Sequence, residues 1–171
     1  MSRTPDYESS KPLEKSFDRE VFDCGVEALN EYLKKFALQN QKKDAARTYV
    51  VTNSDKQILG YYTLVFASVA PADVPGEVSA GLGSYPIPLI LLARLAVDLS
   101  EKGKGLGGIL MRDALLRAVQ ASDIGGLRAV MVQAKDETAR SFYEKLGFRR
   151  SPSDHFKLFL KISEIRANLT L

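Results

Sequence analysis

An apolar stretch that breaks into clustered glycines and then into an amphipathic helix restricts this chain more than any other feature. From Leu89 to Val97 the residues are apolar except for Arg94, Gly103, Gly105, Gly107 and Gly108 follow, and Leu106, Leu110, Ala114 and Ala118 recur at helical spacing. A continuous apolar run of that length fits a central strand covered on both faces. Glycines carry no Cβ, so the turn can close tightly and set its amide N–H groups against anionic oxygens. The helix that follows adds dipole attraction for negative charge. The spacing is not the G-x-x-x-x-G-K-[ST] of a nucleoside-triphosphate loop. It predicts a diphosphate cradle of another kind.

The remaining chain fits mixed α/β. Its 171 residues, 45% hydrophobic and 26% charged, suffice for one domain that folds unaided, so we expect residues 1–10 to be a flexible N-terminus and 11–171 a single domain. No stretch reaches the roughly 20 apolar residues of a membrane span, and the first residues lack a signal-peptide core, which predicts a cytoplasmic protein. One cysteine, Cys24, and one histidine, His155, cannot build an internal disulfide or a His-rich metal site, so no metal is expected. The net charge of +3 does not itself announce a nucleic-acid binder, but Lys34, Lys35, Lys42, Lys43 and Arg47 cluster, as do Arg149 and Arg150.

Asp23 as N-cap and Val26, Leu29, Leu33, Phe36 and Ala37 at helical spacing predict a helix over 24–42. Two β-rich runs, 47–52 and 57–69, flank Asn-Ser-Asp-Lys and predict a hairpin. Residues 71–88, with four prolines and three glycines, predict a long loop. A buried strand over 127–132 follows. Asp136 then caps a short helix with Ala139, Phe142 and Leu146 inward, ended by Gly147. Finally, Phe156, Leu158, Leu160 and Ile162 alternate with Lys157, Phe159 and Lys161, the pattern of a strand with one solvated face.

Lys102-x-x-Gly105-x-Gly107 resembles the Q/R-x-x-G-x-G/A motif of the GNAT family of acetyl-coenzyme A-dependent N-acetyltransferases, with lysine where that family usually has Gln or Arg. Downstream, Ala139-Arg-Ser-Phe-Tyr143-Glu-Lys-Leu-Gly147-Phe148 is similar to its A-x-x-F-Y-x-x-x-G-F segment. The resemblance implies the GNAT fold, a mixed central sheet with two splayed parallel strands flanked by helices, and acetyl-coenzyme A as cosubstrate. It further implies coenzyme contacts from Leu95, Ala96 and Val97, from Lys102, Gly103, Lys104, Gly105, Leu106, Gly107 and Gly108, and from Phe142. Tyr143 would be the general acid, and the backbone at Val97 would be the donor to the developing oxyanion.

The chemistry agrees with those posts. Acyl transfer to an amine expels a thiolate, and a phenol of pKa about 10 can protonate it while staying protonated at neutral pH. Between Pro86 and Val97 there is no Glu, Asp or His to act as a base. A lysine amine, pKa about 10.4, needs one; an α-amine near 8 hardly does. Cys24 lies far from both motifs and reads as a small core residue, and His155 as structural or exposed.

Within the family the chain resembles the bacterial acetyltransferase toxins, through Phe22-Asp-Cys24-Gly25, Ala46-Arg47-Thr48-Tyr49-Val50, Gly60-Tyr61-Tyr62, Pro86-Ile87-Pro88 and Leu92-Ala-Arg94-Leu-Ala-Val97-Asp98. That resemblance implies acetylation of the α-amine of aminoacyl-tRNA, block of translation, a ribbon-helix-helix antitoxin and a homodimer. The alternative is an acetyltransferase for small amines or protein N-termini. On the toxin reading, Lys34, Lys35, Lys42, Lys43, Arg47, Arg149 and Arg150 bind the tRNA backbone. Arg94 either meets the acceptor end or makes a structural ion pair with Asp98.

Overall fold

The computed structural model describes residues 6–168. Its strands are β1 (Lys11–Pro12), β2 (Arg47–Thr52), β3 (Ile58–Val69), β4 (Ile87–Val97), β5 (Ala129–Gln133), β6 (Arg149–Arg150) and β7 (Lys157–Lys161). Its helices are α1 (Glu27–Glu31), α2 (Ala37–Lys42), α3 (Gly76–Ser79), α4 (Leu106–Ser122), α5 (Glu137–Lys145) and α6 (Ile162–Asn168), with a π-helical turn, Tyr32–Phe36, joining α1 to α2. The strands form one sheet in the order β1-β2-β3-β4-β5-β7-β6. β4 and β5 are parallel, whereas β2–β3, β5–β7 and β6–β7 are antiparallel. This is the mixed α/β architecture that the element order predicts.

The chain divides into two units, the first running to Val65 and taking in Ala93–Ala114, the second made of Phe66–Leu92 and the chain from Leu115 onward. In the first, Phe22, Leu33, Val50, Ile58 and Tyr61 form a buried cluster with Leu13 and Ala96. The hairpin appears as predicted, with Tyr49 opposite Tyr62 in register and the buried Thr48 and Thr63 hydroxyls hydrogen-bonded at 2.9 Å. Gly60 explains how α4 lies so close to β3. A Cβ there would stand 2.9 Å from Leu110 Cδ1 and 3.2 Å from the Ala96 carbonyl oxygen. Leu106, Leu110, Ala114 and Ala118 are buried as expected.

The helical arm ends at Lys42 as predicted but differs from its prediction at its start. It begins at Glu27, not residue 24, and Val26 occupies the N-cap position without a side-chain hydrogen bond. Asp23 instead shapes the preceding loop, its carboxylate accepting from the Gly25 N–H at 2.9 Å and the Asn30 side-chain amide at 3.0 Å. The left-handed backbone of Gly25, φ +86°, lets the chain turn there before the helix starts.

In the second unit, Val74, Val78, Ile87, Leu89, Ala129 and Phe159 form a buried cluster. The segment expected as a plain loop folds into a 3-10 turn, Pro71–Asp73, and α3. The Arg128 guanidinium holds it by donating to the carbonyls of Val78 at 2.8 Å and Ala80 at 3.1 Å. This covering corrects the reading of the last strand. β7 lies between β5 and β6, and Leu158, Phe159 and Leu160 are all buried, so no solvated face remains at Phe159. Ile162 opens α6 rather than extending the strand. Phe142 and Leu146 on or beside α5, predicted inward, are exposed by 45% and 43%.

Candidate active site

The apolar strand, the glycine turn and the amphipathic helix are β4, the 98–105 segment and α4. β4 pairs with β5 from Leu89↔Ala129 to Leu92↔Val132, and β4 then runs on to Val97. Its end is held within the first unit by the Asp98 N–H, which donates to the Leu59 carbonyl at 2.8 Å. The Asp98 carboxylate organises what comes next. One oxygen accepts from the Asp23 N–H at 2.8 Å and the other from the Ser100 N–H at 3.0 Å, starting a 3-10 turn over Leu99–Glu101. Partial burial acts to raise the Asp98 pKa, but these N–H donors favour the carboxylate and leave it below the ordinary value.

Gly103 and Gly105 then adopt left-handed conformations, φ +77° and +86°, which explains why the turn needs glycine at these positions. The first hydrogen bond leading into α4 runs from the Ile109 N–H to the Gly105 carbonyl. The amides just before it belong to the opening turn, where a helix has no internal acceptors to offer. A Cβ at Gly103 or Gly108 would meet nothing within 4 Å, so the backbone there is open to a ligand. These features fit a diphosphate, with the 103–108 amides as donors and the exposed Lys102 and Lys104 beside them.

Lys104 is 3.5 Å from Glu101, whose carboxylate also accepts from the Tyr7 hydroxyl at 3.0 Å. Burial and the neighbouring Glu101 carboxylate push the Tyr7 phenol up to about 12. The Tyr7 link from the N-terminal segment to the turn had no signal in the sequence. Leu95, Ala96 and Val97 occupy the last residues of β4.

Arg94 does not pair with Asp98, whose oxygens are already engaged by backbone N–H groups. Its guanidinium lies 3.6 Å from the centroid of the Tyr32 ring. Tyr32 is absent from the helical set Val26, Leu29, Leu33, Phe36 and Ala37, and local spacing says nothing of what its ring faces. The basic cluster is placed on the π turn (Lys34, Lys35), at the end of α2 (Lys42, Lys43) and at the start of β2 (Arg47). Lys35 pairs with Glu31 at 3.4 Å and Arg47 with Asp44 at 2.8 Å.

Tyr143 and Phe142 lie in the second unit, on α5, whose N-cap is Asp136 as predicted, accepting from the Ala139 N–H at 2.8 Å. Gly147, φ +101°, ends that segment. Tyr143 is half-buried, its ring 5.6 Å from that of Phe148 and 5.5 Å from that of Phe142. Burial raises its phenol pKa above the usual value. Such a group stays protonated at neutral pH and can donate. Arg149 pairs with Glu77 at 2.9 Å, and Arg150 with Glu144 at 3.0 Å. Cys24 is buried and His155 exposed.

Residues 103–108 also satisfy the bare G-x-G-x-x-G spacing of dinucleotide-binding turns, but the antiparallel pairs on both sides of the β4–β5 pair are unlike a doubly wound parallel sheet. Comparison with known proteins agrees. The Acetyltransferase (GNAT) domain matches residues 44–150. Over 161 residues the chain is 42% identical to the tRNA-acetylating toxin of Mycobacterium tuberculosis (strain ATCC 25618 / H37Rv), covering 94% of this chain and 96% of the relative. Among solved structures, AtaT complexed with acetyl-methionyl-tRNAfMet superimposes with a TM-score of 0.87 at 30% identity, over 96% of this chain and 100% of AtaT. An AtaT variant bound to the C-terminus of the antitoxin AtaR and acetyl-CoA gives 0.81 at 28% identity, over 95% and 98%. The strand, the glycine turn, the α5 tyrosine and these full-length likenesses together show that the chain belongs to the GNAT acetyltransferase family.

Proposed function

We propose that this protein transfers the acetyl group of acetyl-coenzyme A to the α-amine of an aminoacyl-tRNA and so acts as a toxin that blocks translation. The observation that carries this reading is the likeness, over 94% of the chain, to a protein named for tRNA acetylation. Bound acetyl-coenzyme A supplies an acyl group activated as a thioester. The chain's own residues do the rest. Amides of the 103–108 turn hold the diphosphate, and Lys102 and Lys104 add positive charge. The backbone at Val97 offers a donor where negative charge develops on the acyl oxygen. The Tyr143 hydroxyl donates its proton to the departing sulfur, and its raised pKa keeps that proton in place at cytosolic pH; the nitrogen sheds one proton to solvent on becoming an amide, and solvent restores the hydroxyl.

The acetylated amine bears no positive charge and is no longer a nucleophile, which is how the product stops chain growth. The lack of a carboxylate or imidazole from Pro86 to Val97 suits an amine that is already largely neutral. Lys34, Lys35, Lys42, Lys43, Arg47, Arg149 and Arg150 supply the phosphate-binding surface. An antitoxin partner is supported by AtaT, which is bound to the antitoxin AtaR; a cytoplasmic homodimer and a ribbon-helix-helix form for that antitoxin complete the proposal.

Purified protein, labelled acetyl-coenzyme A and charged tRNA test it. Label is expected on the aminoacyl moiety of the tRNA. Label on free small amines or protein N-termini, with none on charged tRNA, overturns it in favour of the alternative substrate class.

A further inference from the structure

Arg94 stands apart from the other arginines assigned to substrate. Arg47, Arg149 and Arg150 each meet a carboxylate within 3.0 Å. Arg94 is half-buried on a strand, and among the described residues its one close partner is an aromatic ring. A guanidinium withdrawn from water without an anion is unfavourable, and a bound anion relieves that cost. The nearest acid along the strand, Asp98, is committed to the Asp23 and Ser100 amides.

The ring beneath it is firmly set. Tyr32 is 5% exposed, lies at the start of the π turn, and its hydroxyl accepts from the Asn40 side-chain amide at 3.3 Å. The ring restrains the guanidinium whose Cζ lies 3.6 Å from its centroid, and no hydrogen bond or ion pair among the described residues engages the N–H groups, whose fork matches phosphate oxygens. Arg94 precedes Val97 by three residues, about 10 Å along an extended strand. Aminoacyl-tRNA presents two groups at comparable separation: the reacting amine, and, beyond the ester and the ribose, the phosphodiester that joins the terminal adenosine to the nucleotide before it.

Resting on the aminoacyl-tRNA reading above, we propose that Arg94, held over the Tyr32 ring, binds the phosphodiester on the 5′ side of the terminal adenosine and so sets the distance of the amine from the end of β4. Arg94 is then a substrate-binding residue and Tyr32 a positioning residue acting through it.

Two small acceptors isolate this contact: an aminoacyl adenosine, and the same aminoacyl adenosine extended by a 5′-linked cytidine, which adds the phosphodiester. The wild-type enzyme is expected to favour the extended acceptor in kcat/KM by about tenfold to hundredfold, the range of a hydrogen bond to a charged group. Arg94→Lys, which keeps the charge but loses the fork, should remove most of that ratio. Tyr32→Leu should reduce it, and Tyr32→Phe, which keeps the ring, should restore it. Calorimetry with acetyl-coenzyme A establishes that each variant is folded. Equal use of both acceptors by the wild type, a result needing no variant, overturns the proposal, as does an undiminished ratio in Arg94→Lys. If neither acceptor nor charged tRNA is acetylated while acetyl-coenzyme A binds, the aminoacyl-tRNA reading itself has failed and this inference falls with it.

Discussion

Asp98 holds the backbone N–H of Asp23 at 2.8 Å, fastening the loop that precedes α1 to the end of β4. With the Ser100 amide on its second oxygen, the same carboxylate also starts the turn that leads to Gly103. Asp98→Ala therefore leaves two backbone donors without acceptors and should lower unfolding free energy by roughly 1–3 kcal/mol. The pH dependence has a definite sign. A carboxyl whose pKa is lowered by folding stabilises above its unfolded value, about 3.9, and that contribution is lost as pH falls through the lower folded value. The gap between wild type and Asp98→Ala, measured by urea unfolding, should be constant from pH 6 to 8 and close in acid below about pH 4.

Tyr143→Phe should keep acetyl-coenzyme A affinity in calorimetry while lowering kcat by about 10²–10⁴, the range of a lost general acid. Retained turnover would remove the phenol from the chemistry.

The pH profile of wild-type kcat/KM should rise through the pKa of the substrate ammonium. Because burial raises the Tyr143 pKa, the proton needed for catalysis is retained on the alkaline side. No tyrosine-linked fall is expected below about pH 10. A descending limb near neutrality that vanishes in Tyr143→Phe would contradict this.

Gly105→Ala should weaken acetyl-coenzyme A binding by about tenfold, since a Cβ at φ +86° costs roughly 1–2 kcal/mol and tilts the amides that follow. Gly125→Ala, where a Cβ meets nothing within 4 Å and φ is not in the left-handed region, is the control and should leave binding unchanged. Equal effects of both substitutions in calorimetry would argue against a phosphate-binding role for the turn.

Lys42→Gln combined with Lys43→Gln should weaken tRNA binding and flatten its dependence on log salt by about 0.7 for each phosphate that is no longer neutralised. An unchanged slope in a filter-binding titration would place the tRNA elsewhere.

Where pattern and burial agree, the sequence was a good guide. β4, the hairpin, α4 and the Asp136 cap all follow from local chemistry. Phe159 shows where that logic stops: alternation with lysines marks a half-solvated strand, but α3 and its neighbours cover the second face, and nothing within residues 156–162 encodes that cover. Asp23 was legible as a capping residue and illegible as the organiser of a loop, because its partner amide at Gly25 precedes the helix it was expected to cap. At the candidate site, the glycine turn and Tyr143 were readable as motifs. The pairing of Arg94 with Tyr32 was not, since it joins residues distant in sequence through a cation–ring contact that leaves no periodic trace.

The π turn at Tyr32–Phe36 carries a consequence for the evolution of this helical arm. Such a turn behaves as one residue added to an α-helix, and one residue corresponds to about 100° of rotation. Excising a single residue there would straighten the arm into regular α-helix yet swing everything after it by that angle, turning Gln41 away from the Leu13 carbonyl it now reaches at 2.9 Å. Lineages of this protein should therefore tolerate substitution along the arm far more readily than a change in its length.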